Sequence, residues 1–181
     1  MEKLVVIING AGGAGKDTVC EIAAQKYAVT IRSSIDPIKK IAVYGGWNPS
    51  DKSLPARKLL SDLKRAFTLY NDWPTRYLME QYAEFLHSDR EILFVHIREA
   101  EEIEKFRARI RETASDTGQP PARCVTLLVK SAWTAESYGN ASDDGVENYS
   151  YDFIYHNDKT MAELREDFLH FFTEKIISAK S

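Results

Sequence analysis

The sequence predicts an α/β fold, a five-stranded parallel sheet with helices on both faces. Three observations point to it. Short apolar, β-branched runs such as LVVIIN at 4–9 and EILFVHI at 91–97 lack polar alternation, which is the pattern of strands buried on both faces. Longer stretches with apolar residues at helical spacing lie between them, and alternating strand and helix builds a parallel sheet. Four glycines in the six residues Gly10–Gly15 directly follow the first run, where a parallel sheet gathers its ligands, at the carboxyl ends of its strands.

The elements follow in order. LVVIIN is the first strand, and Lys16–Tyr27 reads as a helix through Val19, Ile22, Ala23 and Tyr27. AVTIRSS at 28–34 is the second strand. DPIKKIAVY begins a helix at Asp36, which serves as its cap, and Pro37 suits the first turn. GGWNPSDKSLP has loop chemistry. Helices are expected at about Ala56–Tyr70 and Pro74–His87, and the third strand at 91–97. A charged helix at Ala100–Thr113 is stopped by SDTGQPP. RCVTLLVKS at 123–131 and YDFIYHN at 151–157 are the last strands, and Met161–Ile177 is the closing helix.

A chain of 181 residues suits one domain over 1–181. A helical insertion is expected at about 45–88 and a mobile loop at about 131–150. At 44% hydrophobic and 28% charged residues the composition is that of a soluble globule. The net charge of −3 argues against a nucleic-acid polymer as partner. Cys20 and Cys124 have no metal-ligand spacing and read as buried free thiols, which fits a reducing compartment. Lys3 is the lone basic residue before an apolar run that glycine soon breaks, a poor secretory leader. No run reaches the roughly 20 apolar residues of a membrane span. A cytoplasmic protein, monomer or homodimer, is expected.

Gly10 to Gly15-Lys16 matches G-x-x-x-x-G-K between a predicted strand and a predicted helix, the context of a phosphate-binding loop. Glycine lets backbone N–H groups turn inward around a phosphate, and the helix that follows aims its dipole at the same anion. Gly10, Gly12, Gly13, Ala14, Gly15, Lys16, Asp17 and Thr18 are therefore the candidate nucleotide-binding residues, for ATP with Mg²⁺. Lys16 would reach the outer phosphates and Thr18 the α-phosphate. The bland reading is a flexible turn with a surface lysine. Asp17 stands where a hydroxyl usually helps hold Mg²⁺. It assists the metal directly or through water, or it is a helix-end acid favoured by the dipole, and both readings are compatible.

GAGGAGKDT resembles the loop of P-loop small-molecule kinases, and its GKDT form is similar to that of deoxynucleoside monophosphate kinases. Animal-type phosphomevalonate kinases share a GKD loop. SSIDPIKKIA at 33–42 resembles that family's FADPxK helix start, and FVHIREAEEIEKF at 94–106 its third strand and following arginine. YDFIYHNDKTMAEL at 151–164 is similar to the last strand and loop of guanylate-kinase-type and dephospho-CoA-kinase-type enzymes. The resemblance implies a P-loop fold and phosphoryl transfer to a small acceptor. It puts Asn157 beside the ATP adenine and Asp36 on the acceptor side. The chain departs from the family at His96, where an aspartate is usual. Either Asp17 and Asp36 supply the acid, or the acceptor is not a nucleoside monophosphate, or activity is weak.

Phosphoryl transfer rests on positioning and charge neutralisation. Arg57, Lys58, Lys64, Arg65 and Arg76 lie between the second and third strands. Arg57 and Arg65, with Arg76, are the candidates for an acceptor phosphate, since guanidinium binds it bidentately; a solvated helix face is the alternative. Of Trp47, Tyr70, Trp73, Tyr77 and Tyr82, one could stack on an acceptor base, while most should pack in the core. Arg98 directly follows the third strand and reads, with Lys16 and Asp36, as catalytic. Asp36 is a candidate base or orienting acid, against the reading as a plain cap. Arg107, Arg109 and Arg111 have Glu101, Glu102 and Glu104 nearby and read as a salt-bridged surface. The loop after Lys130 holds Asp143, Asp144 and Glu147 but no arginine, so Lys130 or Arg98 would do the work of a lid arginine. His87, His156 and His170 receive no role. The expected function is ATP- and Mg²⁺-dependent transfer to a small-molecule acceptor, first a nucleoside or deoxynucleoside monophosphate. Dephospho-CoA or another small metabolite is the alternative, and a non-catalytic nucleotide-binding module the rival class.

Overall fold

The first strand, β1 (Leu4–Asn9), is buried along its whole length. Its side chains divide between two cores, Leu4, Val6 and Ile8 on one side and Val5 and Ile7 on the other. The remaining strands are β2 (Val29–Ser33), β3 (Ile92–His96), β4 (Arg123–Lys130) and β5 (Phe153–His156). In the computed structural model, which describes residues 2–118, 120–131 and 146–179, they form one five-stranded sheet of order β2-β3-β1-β4-β5. Every pairing is parallel, as the unbroken apolar runs require.

The helices are α1 (Lys16–Ala24), α2 (Asp36–Tyr44), α3 (Leu54–Asn71), α4 (Trp73–His87), α5 (Ala100–Thr117) and α6 (Met161–Phe171). Val19 and Ile22 of α1 and Phe168 of α6 cover one face of the sheet. Leu78, Tyr82 and Phe85 of α4 and Ile103, Phe106 and Ile110 of α5 cover the other. Between β2 and β3 run α2, α3 and α4, of which α3 and α4 fall within the span 45–88.

Several boundaries differ from the sequence reading, each for a local reason. The first helix ends at Ala24 rather than Tyr27, and the Lys26 and Tyr27 amides both close on the Ala23 carbonyl at 3.0 Å. Asp36 is not the cap of α2. It is the first helical residue, and its carboxylate accepts the Ser33 amide at 2.8 Å, tying the helix back to β2. Helix α5 runs past Thr113 to Thr117 and stops where Gly118 takes a left-handed φ of 68°. Asp72 has the left-handed φ of 54° that turns α3 into α4. Its carboxylate is held by the Thr75 hydroxyl at 3.0 Å and Lys105 at 2.8 Å.

The closing helix is not α-helical to its end. After Phe171 the chain widens into a π-helical segment, Phe172–Ile177, and the Ser178 amide bonds the Thr173 carbonyl at 3.0 Å. Phe168, Phe172 and Ile176 are all 0% exposed at a spacing of four, longer than the α period. The wider turn keeps all three on the sheet.

Phe168 packs edge-on against Tyr155 at 5.0 Å and tilted against Phe172 at 5.5 Å. Phe168→Ala should lower stability by about 3–5 kcal/mol, read as a fall in the urea midpoint with the slope unchanged.

Candidate functional site

The register brings the ends of β1, β2 and β3 nearly level, and β4 and β5 end together two residues farther on. Ile8 lies opposite His96 and Leu127, Ser33 opposite His96, and Lys130 opposite His156. β1 ends between β3 and β4, where successive connections diverge, and this is where an open α/β sheet leaves its crevice.

The glycine loop starts there. Gly10, Gly13 and Gly15 have φ of 148°, 81° and 92°, conformations that side chains rarely adopt. A Cβ at Gly10 would run into the Val129 carbonyl, and one at Gly15 into the Asn157 side-chain amide. That amide donates to the Ala14 carbonyl at 2.9 Å, while the Asn157 backbone amide donates to the Lys130 carbonyl at 2.6 Å. Asn157 thus buttresses the loop from the β5 side. Gly15 caps α1 with no side-chain acceptor on the first-turn N–H groups. The Lys16 ammonium folds over the loop and donates to the Gly10 and Ala11 carbonyls at 2.6 and 2.8 Å. Asp17 is in the first turn of α1 with its carboxylate 89% exposed, and Thr18 is half-buried.

Sequence reasoning missed Asn9. Its side chain is 0% exposed and its oxygen accepts the Gly10 amide at 2.8 Å. Its nitrogen donates to the Arg98 carbonyl at 2.9 Å and the Tyr151 hydroxyl at 2.7 Å, and that hydroxyl donates to the Val146 carbonyl at 2.8 Å. One amide therefore joins the loop, the exit of β3 and the approach to β5. The only signal was a polar residue closing an apolar strand just before glycine.

His96 borders the loop. Its Nε2 lies 3.7 Å from an Asp17 carboxylate oxygen and 3.9 Å from the Cys20 sulfur. Burial pushes its pKa from 6.5 down to about 4, against Asp17 and Asp36, which raise it, and with Lys16 and Arg98, which lower it further. His96 is therefore a neutral imidazole, and it senses every candidate catalytic charge, Lys16, Asp17, Asp36 and Arg98. Cys20 beneath it is buried, and burial chiefly, with Asp17 adding, drives its thiol pKa far up. Cys124 is half-buried and free, its thiol pushed up to about 12 by burial.

The arginines of the insertion are dispersed. Arg65 is exposed on α3. Arg57 lines a cleft between α2 and α3, and Arg76 a different one with Asp72 and Arg109. Lys58 pairs with Asp62 at 2.6 Å. Lys64 is buried and pairs with Glu99 and, at 2.8 Å, Glu102, so it braces α3 against α5 and is not available to an acceptor. The Lys64 ammonium holds Glu99 below its ordinary pKa although burial opposes this. Lys130 pairs with Glu147 at 2.7 Å. Arg107 contacts the Tyr149 hydroxyl at 3.1 Å and Glu104, one of the expected partners, at 3.7 Å, whereas Arg109 lies 3.9 Å from Glu112, outside the expected set. Of the aromatics, Tyr82 is core, Trp73 meets Phe67 edge-on at 5.0 Å, and Tyr70 is exposed. Asp143, Asp144 and most of the expected mobile loop lie outside the described residues. Among the described residues no three His, Cys, Asp or Glu side chains group as a metal site, and no helix is long and apolar enough to cross a membrane.

No protein-family model and no curated protein matches the chain. Solved structures do. A sugar kinase from a Janibacter species is 12% identical, with all of both chains covered and a TM-score of 0.50. A thymidylate kinase from Candida albicans is 12% identical over 95% of this chain and 92% of that one, with a TM-score of 0.49. An APS kinase from Mycobacterium tuberculosis is 13% identical over 96% and 99%, with a TM-score of 0.45. At such identities the likeness is one of fold. Together with the all-parallel sheet, the likeness to the sugar kinase gives the chain an α/β fold that it shares with that kinase.

The neutral state of His96 predicts a pH dependence. Its folded pKa lies below the unfolded value, so as pH falls below about 6.5 the unfolded chain takes up a proton that the folded one refuses until about 4. Stability should be complete above that window and fall by up to about 3 kcal/mol across it. Urea unfolding at several pH values checks this. His96→Asn should flatten the slope in that range.

Proposed function

We propose that the protein transfers the γ-phosphoryl group of ATP to a small acceptor, with Mg²⁺. The single observation that carries this is the loop at the end of β1. Three positive-φ glycines, an uncapped helix start and a lysine folded over the loop form a cradle of donors. The first-choice acceptor is a nucleoside or deoxynucleoside monophosphate, and dephospho-CoA or another small metabolite is the second.

The roles follow from chemistry. The backbone of Gly12–Lys16 cradles the β- and γ-phosphates, Gly10 gives the loop its tight entry, and Thr18 reaches the α-phosphate. The Lys16 ammonium exchanges the Gly10 and Ala11 carbonyls for phosphate oxygens. Mg²⁺ keeps several waters and shares phosphate oxygens, so Asp17, its carboxylate exposed in the first turn of α1, would hold it, and bound there it would supply charge neutralisation on the transferring group. Arg98 contacts the transferring phosphoryl group, and Asp36, fixed by the Ser33 amide, orients the acceptor. Arg57, Arg65 and Arg76 are the acceptor-side cations. Asn157 acts on the nucleotide by holding Ala14.

A second reading, nucleotide binding without turnover, is favoured by one observation. The end of β3 offers a neutral imidazole, His96, in place of a carboxylate.

Mg-ATP with a panel of nucleoside monophosphates, deoxynucleotides and dephospho-CoA should give acceptor-dependent ADP release. Lys16→Ala should lower that turnover roughly 100-fold or more. ATP protection against thermal unfolding with no acceptor-stimulated ADP across the panel would favour the binding module. No protection at all would defeat both readings.

Asp17→Ala should weaken Mg²⁺-dependent turnover more than metal-free ATP binding. Equal losses in both would reduce Asp17 to a helix-end acid.

A further inference from the structure

A cleft of about 520 Å³ opens between α2 and α3, within the size range of small-molecule sites. Lys39, Lys40, Lys52 and Arg57 line it over an apolar floor that includes Val43 and Trp47. Three lysines nearby have carboxylate partners: Lys58 with Asp62, Lys64 with Glu99 and Glu102, and Lys105 with Asp72. Among the described residues, none of the four cleft cations has one. The single acid of the lining, Asp51, accepts the Ser53 amide at 2.8 Å instead. The Trp47 indole N–H is buried with no acceptor among the described residues, an unusual state for a buried donor. Unpaired positive charge over an apolar floor, beside an unmatched donor, is complementary to an anionic group carried on an apolar body.

The position of the cleft gives its place in a ligand. Helix α2 starts at the end of β2, and Val43 is seven residues beyond Asp36, about 10 Å at the α-helical rise. Arg57 precedes Lys64 by seven residues on α3, again about 10 Å. Lys64 in turn is anchored to Glu99, just beyond β3. Lys39 and Lys40 start only about 5 Å along α2 from Asp36, but the cleft they line extends to Val43 and, on α3, to Arg57, about 10 Å from the strand ends, a place suited to the other end of an acceptor.

We propose that this cleft binds a distal phosphate of the acceptor, so that the acceptor is an elongated molecule with a phosphate about 10 Å from the group that receives the phosphoryl. Lys39, Lys40 and Arg57 neutralise it, and the Trp47 N–H donates to it. This rests on the phosphotransfer reading of the loop and favours its second class of acceptor, since a nucleoside monophosphate carries no phosphate besides the one that receives the phosphoryl group. Hexanediol bisphosphate and hexyl phosphate, titrated separately by calorimetry into the whole protein, test it. The bisphosphate should bind about tenfold more tightly or better, as one added charge-assisted contact allows. In the Lys39→Gln/Lys40→Gln double variant that preference should vanish, while thermal protection by Mg-ATP stays as in the wild type. Both lysines are exposed, so the variant should fold. Trp47→Phe should reduce the preference with no loss of Mg-ATP protection. Equal affinity for the two probes, or a preference that survives the double substitution, overturns the proposal. A preference that behaves as described, with no acceptor-stimulated ADP release, keeps the cleft as an anion site and removes the kinase reading.

Discussion

The site depends on one buried amide. Asn9 has no exposure and makes three hydrogen bonds, one to the amide that opens the glycine loop, one to the backbone leaving β3, and one to Tyr151 before β5. Each is modest alone, about 1 kcal/mol net, but a buried polar group left unmatched costs more than a bond contributes. The three segments are distant in sequence, and the sheet brings them together only when β1 lies between β3 and β4. Loop geometry is therefore coupled to strand order.

Around this anchor the protein keeps charges apart by burial. The floor under the loop is poor in charge, since His96 is neutral and the Cys20 thiol is held protonated. Positive charge acts on it from Lys16 and Arg98, and further cations line the cleft between α2 and α3. The long helices are tied down by ion pairs with low exposure, above all Lys64 with Glu99 and Glu102. Taking away one partner of such a group leaves the others desolvated and uncompensated. The pairs keep the insertion in register with α5, and with it the cations of the α2–α3 cleft.

Much of the fold was legible because β1 encodes it twice. A six-residue apolar run reads as a two-sided strand, and its alternate residues do enter two different cores. Gly10–Lys16 was legible because its spacing and its place between strand and helix are local. Partners that depend on tertiary approach were not legible. Nothing near Lys64 in the chain announces Glu99, thirty-five residues on, and nothing in Tyr151 announces Asn9. The π-helical ending was hidden for another reason. Phe168, Phe172 and Ile176 fit an α-helix well enough on paper, and only packing on the sheet distinguishes a period of four from one of 3.6.

The position of Lys16 has a consequence for selectivity. Its ammonium is already satisfied by two carbonyls of its own loop. An entering anion must therefore compete with an internal occupant. A small monoanion offers little that the carbonyls do not, so it gains almost nothing by displacing them. A polyphosphate offers several charged oxygens at once and can recruit the lysine, the loop amides and the helix start together. In the nucleotide-binding role proposed for the loop, this internal pairing would favour ligands of several charges over a single monoanion.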